Sequence, residues 1–105
     1  MVEFLRMEKL FSYGSLQYPK IQKKLFNRIL NGQPDTLIDY EKSTINIDDK
    51  KYNSANFKSK EKLNGMVYEL KLNELERADR YEGKSYKRIR VSLLSGKSAW
   101  VYIRA

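Results

Sequence analysis

Leu10-Phe11-Ser12-Tyr13-Gly14-Ser15-Leu16 is a short apolar run with two aromatic residues, cut by Gly-Ser. Leu10 to Tyr13 reads as a buried strand, and Gly14-Ser15 breaks it just ahead of a helical pattern. The stretch is therefore strand, tight turn and helix start. Lacking a Cβ, Gly14 lets the backbone take a strained turn and lets a ligand come close. The N–H groups from Gly14 to Leu16 then have no ladder partners, which suits an anion or a developing oxyanion. The same four residues also read as a plain connecting turn, and the rest of the chain has to decide between the two.

Downstream, Pro19 is suited to the first helical position. Ile21, Leu25, Phe26, Ile29 and Leu30 share one arc of a helix and Lys23, Lys24, Asn27 and Arg28 the other, with Asn31-Gly32 closing it. Thr36 to Tyr40 and Ser43 to Asp48 read as two strands, and Asp48-Asp49-Lys50-Lys51 as a polar turn. Tyr52 to Asn64 is rich in Ser, Asn and Lys and reads as a short strand within a long loop. Gly65 to Leu72 is the clearest strand. Asn73, with Glu76 three residues on, sets up a variant capping box for a helix that begins at Glu74 and is stopped by Gly83. Arg88 to Leu94 and Ser98 to Ile103 form a hairpin through Ser95-Gly96-Lys97, with Ile89, Val91 and Leu93 on one side. Upstream, residues 1–9 read as loosely organised. Strands outnumber helices without alternating with them, which predicts an α+β fold with a mixed, strongly curved sheet.

The 105 residues suffice for one domain, 1–105, with a single core and no linker. Hydrophobic residues at 41% and charged residues at 32% are globular proportions and argue against disorder. No apolar run is long enough to span a membrane. Met1-Val2-Glu3-Phe4-Leu5-Arg6 has an early acid and no long apolar segment ahead of a small-residue cleavage site, which argues against a secretory signal and for a cytoplasmic protein. The chain has no Cys and no His, so disulfides, thiol catalysis, Ser-His triads and the usual zinc sites are excluded. Chemistry is left to carboxylates, hydroxyls, Lys, Arg and backbone.

The net charge of +8 is spread along the chain: Lys20, Lys23, Lys24 and Arg28 on a helical face, Lys58, Lys60 and Lys62 in a loop, Lys84, Lys87, Arg88 and Arg90 near a strand. A solvated surface is favoured over a nucleic-acid site, because no nucleic-acid motif accompanies the charge.

In the second helix Leu75, Ala78 and Glu82 lie at i, i+3 and i+7 and share a face. Leu75 and Ala78 have to face the core, which directs Glu82 toward protein. Burial would raise its pKa into the range where one carboxyl both takes and gives a proton. The alternative is a helix-end Glu that bends out to solvent. Tyr81 and Tyr86 flank it, Tyr86 and Arg88 share a face of the next strand, and an Arg near Asp79 suits a structural ion pair.

Together, Phe11-Ser12-Tyr13-Gly14-Ser15-Leu16, Leu63-Asn64-Gly65-Met66-Val67-Tyr68-Glu69-Leu70, and Asp79-Arg80-Tyr81-Glu82-Gly83 with Tyr86 and Arg88 resemble the γ-glutamylcyclotransferase-like superfamily, in particular its AIG2-like branch. The similarity runs in order from about Leu10 to the C-terminus, with Ala78 standing where the family usually has Leu and Ala55 to Lys62 matching weakly. The resemblance implies a compact mixed β-barrel flanked by two main helices, with the turn and Glu82 facing one cavity. It assigns γ-glutamyl binding to Tyr13, Gly14, Ser15 and Leu16, proton transfer to Glu82, and pocket lining to Tyr86. It implies a small-molecule γ-glutamyl amide as substrate, 5-oxoproline and a free amine as products, and no metal or cofactor. Leu16, where glutathione-type relatives carry Asn, points to γ-glutamyl amines. A non-catalytic ligand-binding module on the same fold is the alternative, and nucleic-acid binding through the lysines a third.

Overall fold

A computed structural model describes residues 7–105. The elements are β1 (Met7–Ser12), a single 3-10 turn (Ser15–Gln17), α1 (Pro19–Phe26), β2 (Gly32–Ile47), β3 (Lys50–Lys71), α2 (Leu72–Glu82), β4 (Tyr86–Ser92) and β5 (Ser98–Arg104). The expectations for residues 1–6 lie outside the described residues, and Met7–Lys9, read as loosely organised, open β1 instead. No helix among the described residues is long and apolar enough to cross a membrane.

The strands make one mixed sheet in the order β2-β3-β1-β5-β4, with β1 and β5 parallel and the other pairs antiparallel. It curls until its edges meet: Leu37 bridges Leu93, and the Leu94 N–H donates to the Thr36 carbonyl at 2.9 Å. The fold is α+β, a strongly curled half-barrel carrying two helices, as expected. β1 separates two cores. Leu10 faces a core under the helices with Leu16, Phe26, Leu70, Leu75 and Ala78, while Phe11 faces the barrel interior with Leu37, Val67, Leu93 and Val101. Burial on both faces explains why β1 reads as an unbroken apolar run.

Helix α1 ends earlier than its periodicity implied. Asn27 takes the left-handed conformation (φ 57°), and its N–H caps the Lys23 carbonyl at 3.0 Å. Asn tolerates that conformation, so the helix stops there, leaving Ile29 exposed while Leu30 still reaches the core from the loop. Helix α2 starts earlier, at Leu72, because Glu74, and not Glu76, accepts the Lys71 N–H at 2.9 Å. Gly83 ends it as expected, at φ 76°, where a side chain would be strained.

The expected strands Thr36–Tyr40 and Ser43–Asp48 are one strand, bent at Asp39 (φ 66°), where the register shifts and the Asp39 carboxylate accepts the Lys60 N–H at 2.8 Å. The expected loop Tyr52–Asn64 is strand throughout, so Lys58, Lys60 and Lys62 lie on β3. Its residues pair with β2 from Ile45↔Tyr52 to Leu37↔Leu63, and most are exposed. A ribbon wet on both faces needs no apolar alternation, so no periodicity announces it. Asp48 and Asp49, both at positive φ, make its two-residue turn.

β4 and β5 join through Ser95-Gly96-Lys97 as expected, and Ile89, Val91 and Leu93 pack into the barrel core. Arg88 and Arg90 lie over the Trp100 ring, at 4.4 and 4.3 Å from its centre, and pair with Asp79 and Glu8. Arg28, read as part of a solvent face, instead donates to both oxygens of the buried Glu74 at 2.8 and 2.9 Å. Bidentate pairing holds that carboxyl below its usual range.

Candidate active site

Where β1 runs into the turn lies a cavity of about 400 Å³. Tyr13, Gly14, Ser15, Leu16, Glu82 and Tyr86 all line it, although 66 residues separate Leu16 from Glu82. The barrel brings the end of β1 to the last turn of α2.

At the turn, Gln17 and Tyr18 donate their N–H groups to the Gly14 and Ser15 carbonyls at 3.1 and 3.0 Å. The Gly14 N–H has only a long contact of 3.4 Å to Ser12 Oγ, and no acceptor is found for the Ser15 and Leu16 N–H groups among the described residues. Gly14 corrects the expected strain: its φ of −134° lies outside the left-handed region, and a Cβ there would meet nothing within 4 Å. The missing side chain leaves open the space beside the turn. The side chain of Leu16 is sunk in the helix-side core, so this residue offers the cavity chiefly its backbone.

The turn is braced from two sides. Ser15 Oγ and Tyr81 Oη lie 2.7 Å apart, tying it to the helix that carries Glu82. Gln22, 2% exposed, donates to the Leu16 carbonyl at 2.9 Å and accepts the Leu30 N–H at 2.9 Å. In the sequence Gln22 carries one signal, a polar residue four positions before Phe26 on the apolar stripe of α1. Gln22→Leu should lower stability by about 2 to 4 kcal/mol, because two buried backbone groups lose their partner at about 1 to 3 kcal/mol each. Urea titration should show a lower midpoint at unchanged slope. A shift worth less than about 0.5 kcal/mol would mean that water replaces the amide.

Tyr13 is buried, and its hydroxyl donates to the Tyr102 carbonyl at 2.6 Å, so it anchors the end of β1. Burial first, and the nearby Tyr86 and Glu82 next, push its pKa up. Tyr102 Oη in turn donates to Asp79 Oδ1 at 2.7 Å, and Arg88 Nε reaches the same oxygen at 2.8 Å, the ion pair expected from the sequence. Tyr86 lines the cavity with its ring while its hydroxyl donates to the Asn53 carbonyl at 2.6 Å.

Three carboxylates of α2 contact the protein body, and they differ. Glu74 and Asp79 are held by arginines; Glu82 has no ion pair and no hydrogen bond among the described residues. It is half-buried, and loss of water raises its pKa from 4.5 to about 7. Among the described residues it is the only carboxylate in the lining, which holds no Lys or Arg despite the net charge of +8. Six tyrosines complete the walls, with Ile47, Tyr52 and Asn53 arriving from the β2–β3 hairpin; Ile47 lies in a stretch expected as strand, Tyr52 and Asn53 in the stretch expected as a short strand within a long loop. Among the described residues no three acidic side chains converge as a metal site requires.

No curated protein sequence matches the chain. Among solved structures it is similar to an Arabidopsis thaliana protein solved in solution (TM-score 0.83, 21% identity, 99% of this chain and 66% of that one). It is also similar to an uncharacterized Homo sapiens protein (TM-score 0.78, 21% identity, 94% and 67%) and to a protein titled gamma-glutamyl cyclotransferase (TM-score 0.82, 16% identity, 95% and 68%). The chain thus spans about two thirds of these neighbours' length, and at such identities the likeness shows the shared fold. The sequence model described as gamma-glutamyl cyclotransferase, AIG2-like, matches residues 10–105. With that match running from β1 through the turn and Glu82 to the last residue, the chain belongs to the gamma-glutamyl cyclotransferase, AIG2-like family.

Proposed function

We propose that this protein converts a γ-glutamyl amide into 5-oxoproline and a free amine. The observation that carries the reading is an unpaired carboxyl with a pKa near 7 in the same cavity as unpartnered N–H groups. The substrate supplies its own nucleophile. Glu82, ionised, takes a proton from the α-ammonium; the freed amine attacks the γ-carbonyl carbon; the N–H groups of Ser15 and Leu16 hold the oxyanion. Glu82, now protonated, gives the proton to the amide nitrogen, whose bond to carbon breaks as the oxyanion re-forms the carbonyl; the second proton of the new ring nitrogen passes to Glu82 and from there to the released amine, which leaves as its ammonium ion. One C–N bond forms, one breaks, and no water is consumed. The remaining task is to fold the substrate into a near-attack shape, which a tyrosine-lined cavity does by exclusion.

The test is incubation with γ-glutamyl amines, γ-glutamyl amino acids and glutathione, assaying 5-oxoproline by mass spectrometry. Turnover of amines above glutathione is expected. Since Glu82 acts first as a base, kcat/KM should fall about tenfold per pH unit below about 7 and level off above it. A profile flat from pH 5 to 8 would remove Glu82 as the base. Binding of γ-glutamyl amides without product would favour the non-catalytic module.

A further inference from the structure

We propose that Tyr81 is a positioning residue for the turn after β1: through Ser15 it holds the Ser15 and Leu16 N–H groups in fixed relation to the Glu82 carboxyl. The inference rests on the cyclotransferase reading, in which both have to reach the same γ-carbonyl centre. Those N–H groups sit in a single 3-10 turn, Ser15–Gln17, whose hydrogen-bond geometry gives it little rigidity of its own. The segment is anchored at its ends. Tyr13 is fixed through its hydroxyl to the Tyr102 carbonyl at 2.6 Å, and Leu16 by its buried side chain and by Gln22 at its carbonyl. Between these anchors Gly14 has open space where a side chain would lie, and its N–H has only the 3.4 Å contact to Ser12. Glycine there leaves the peptide planes beside it free to turn. Ser15 is half-buried, and the one side-chain hydrogen bond found for it among the described residues is that between its Oγ and Tyr81 Oη, at 2.7 Å.

Tyr81 can serve as a strut because its own end is firm. It precedes Glu82 in the last turn of α2, where Ala78 is fully buried and the Asp79 carboxylate is held by Arg88 Nε at 2.8 Å and Tyr102 Oη at 2.7 Å. Helix and turn are thus joined one residue before the carboxyl on one side and at the first of the two N–H groups on the other. The bond spans the gap that the chemistry uses. It also engages the Ser15 hydroxyl, so that side chain serves the turn while the backbone serves the substrate. Contacts to an oxyanion exist only in the transition state, so misplaced N–H groups lower kcat and leave KM nearly alone.

Losing one oxyanion donor costs about 10² to 10³ in kcat, and loosening a pair should cost less than that. Tyr81→Phe, which keeps the ring in the lining, is therefore expected to lower kcat at least about fivefold with KM within about threefold of wild type. Ser15→Ala should do the same. Because both remove one bond, the double variant should be no more than about twofold slower than the slower single variant. Neither side chain is part of a core, so all three variants should fold, and melts run alongside check this. A smaller fall in kcat for either single variant, effects that multiply in the double variant, or a loss confined to KM would overturn the assignment. If wild type forms no 5-oxoproline, the cyclotransferase reading fails by itself, and the strut is judged on NMR relaxation of the backbone amides. Order parameters at Ser15 and Leu16 should lie near 0.85 in wild type and fall below about 0.6 in Tyr81→Phe, with those at Leu10 and Phe11 unchanged. Unmoved values at Ser15, or a fall that reaches Leu10 and Phe11, would remove the strut.

Discussion

Glu82→Gln is expected to form 5-oxoproline about 10² to 10⁴ times more slowly than wild type and, at pH 8, to be the more stable protein. The first half follows from the role of a single carboxyl in both proton steps: Gln keeps the shape but exchanges no proton, at a cost of roughly 3 to 5 kcal/mol of barrier. The second half follows from linkage. Burial raises the Glu82 pKa from 4.5 to about 7, so the folded protein holds this proton more tightly than the unfolded chain. The stabilisation so gained is complete below about pH 4.5 and is lost as pH rises through about 7. Above that, an ionised carboxylate short of water costs about 3 kcal/mol relative to the protonated form. Gln, neutral throughout, escapes the loss, so melts should separate the two proteins at pH 8 and bring them together below about pH 4.5. Equal rates in two equally stable proteins would end the catalytic assignment. A slower but no more stable variant would mean that Glu82 is well hydrated in the folded state.

Gly65→Ala should lower stability by about 3 kcal/mol or more, at the top of the range for overpacking. A Cβ at Gly65 would collide with the carbonyl oxygen of Ser12 and come within 2.6 Å of Phe11 Cζ. Phe11 is buried in the barrel core, and the Ser12 carbonyl belongs to the strand that leads into the turn, so neither yields without moving the site. At 4 to 8 °C per kcal/mol for a domain near this size, Tm should fall by more than about 10 °C. A fall under about 3 °C would show that β1 and β3 separate locally at little cost. Gly14 makes the contrast: the same added methyl there meets nothing.

The hairpin and the turn show how far residues alone could lead. Buried elements announced themselves: the run Leu10 to Tyr13, the stripe of Ile21, Leu25 and Phe26, the strand from Gly65, and the Leu75, Ala78, Glu82 face that turned a helix-end acid toward protein. The α+β class and the resemblance to the family followed from these. Wherever a core is filled from one side of one element, burial imposes a period, and the period is legible. The β3 half of the β2–β3 ribbon is exposed over most of Tyr52 to Asn64, so nothing in those residues themselves specified a long strand, and the part of the ribbon in the cavity stayed hidden. The polar partners of Gln22, Arg28 and Tyr86 were invisible for a related reason. Each of these residues meets a polar group 6 to 46 residues away, namely the Leu16 carbonyl, Glu74 and the Asn53 carbonyl. Local sequence determined which segments would be buried. Only the closed sheet decided which polar groups would meet, because a hydrogen bond depends on where two atoms end up and leaves no period in the chain.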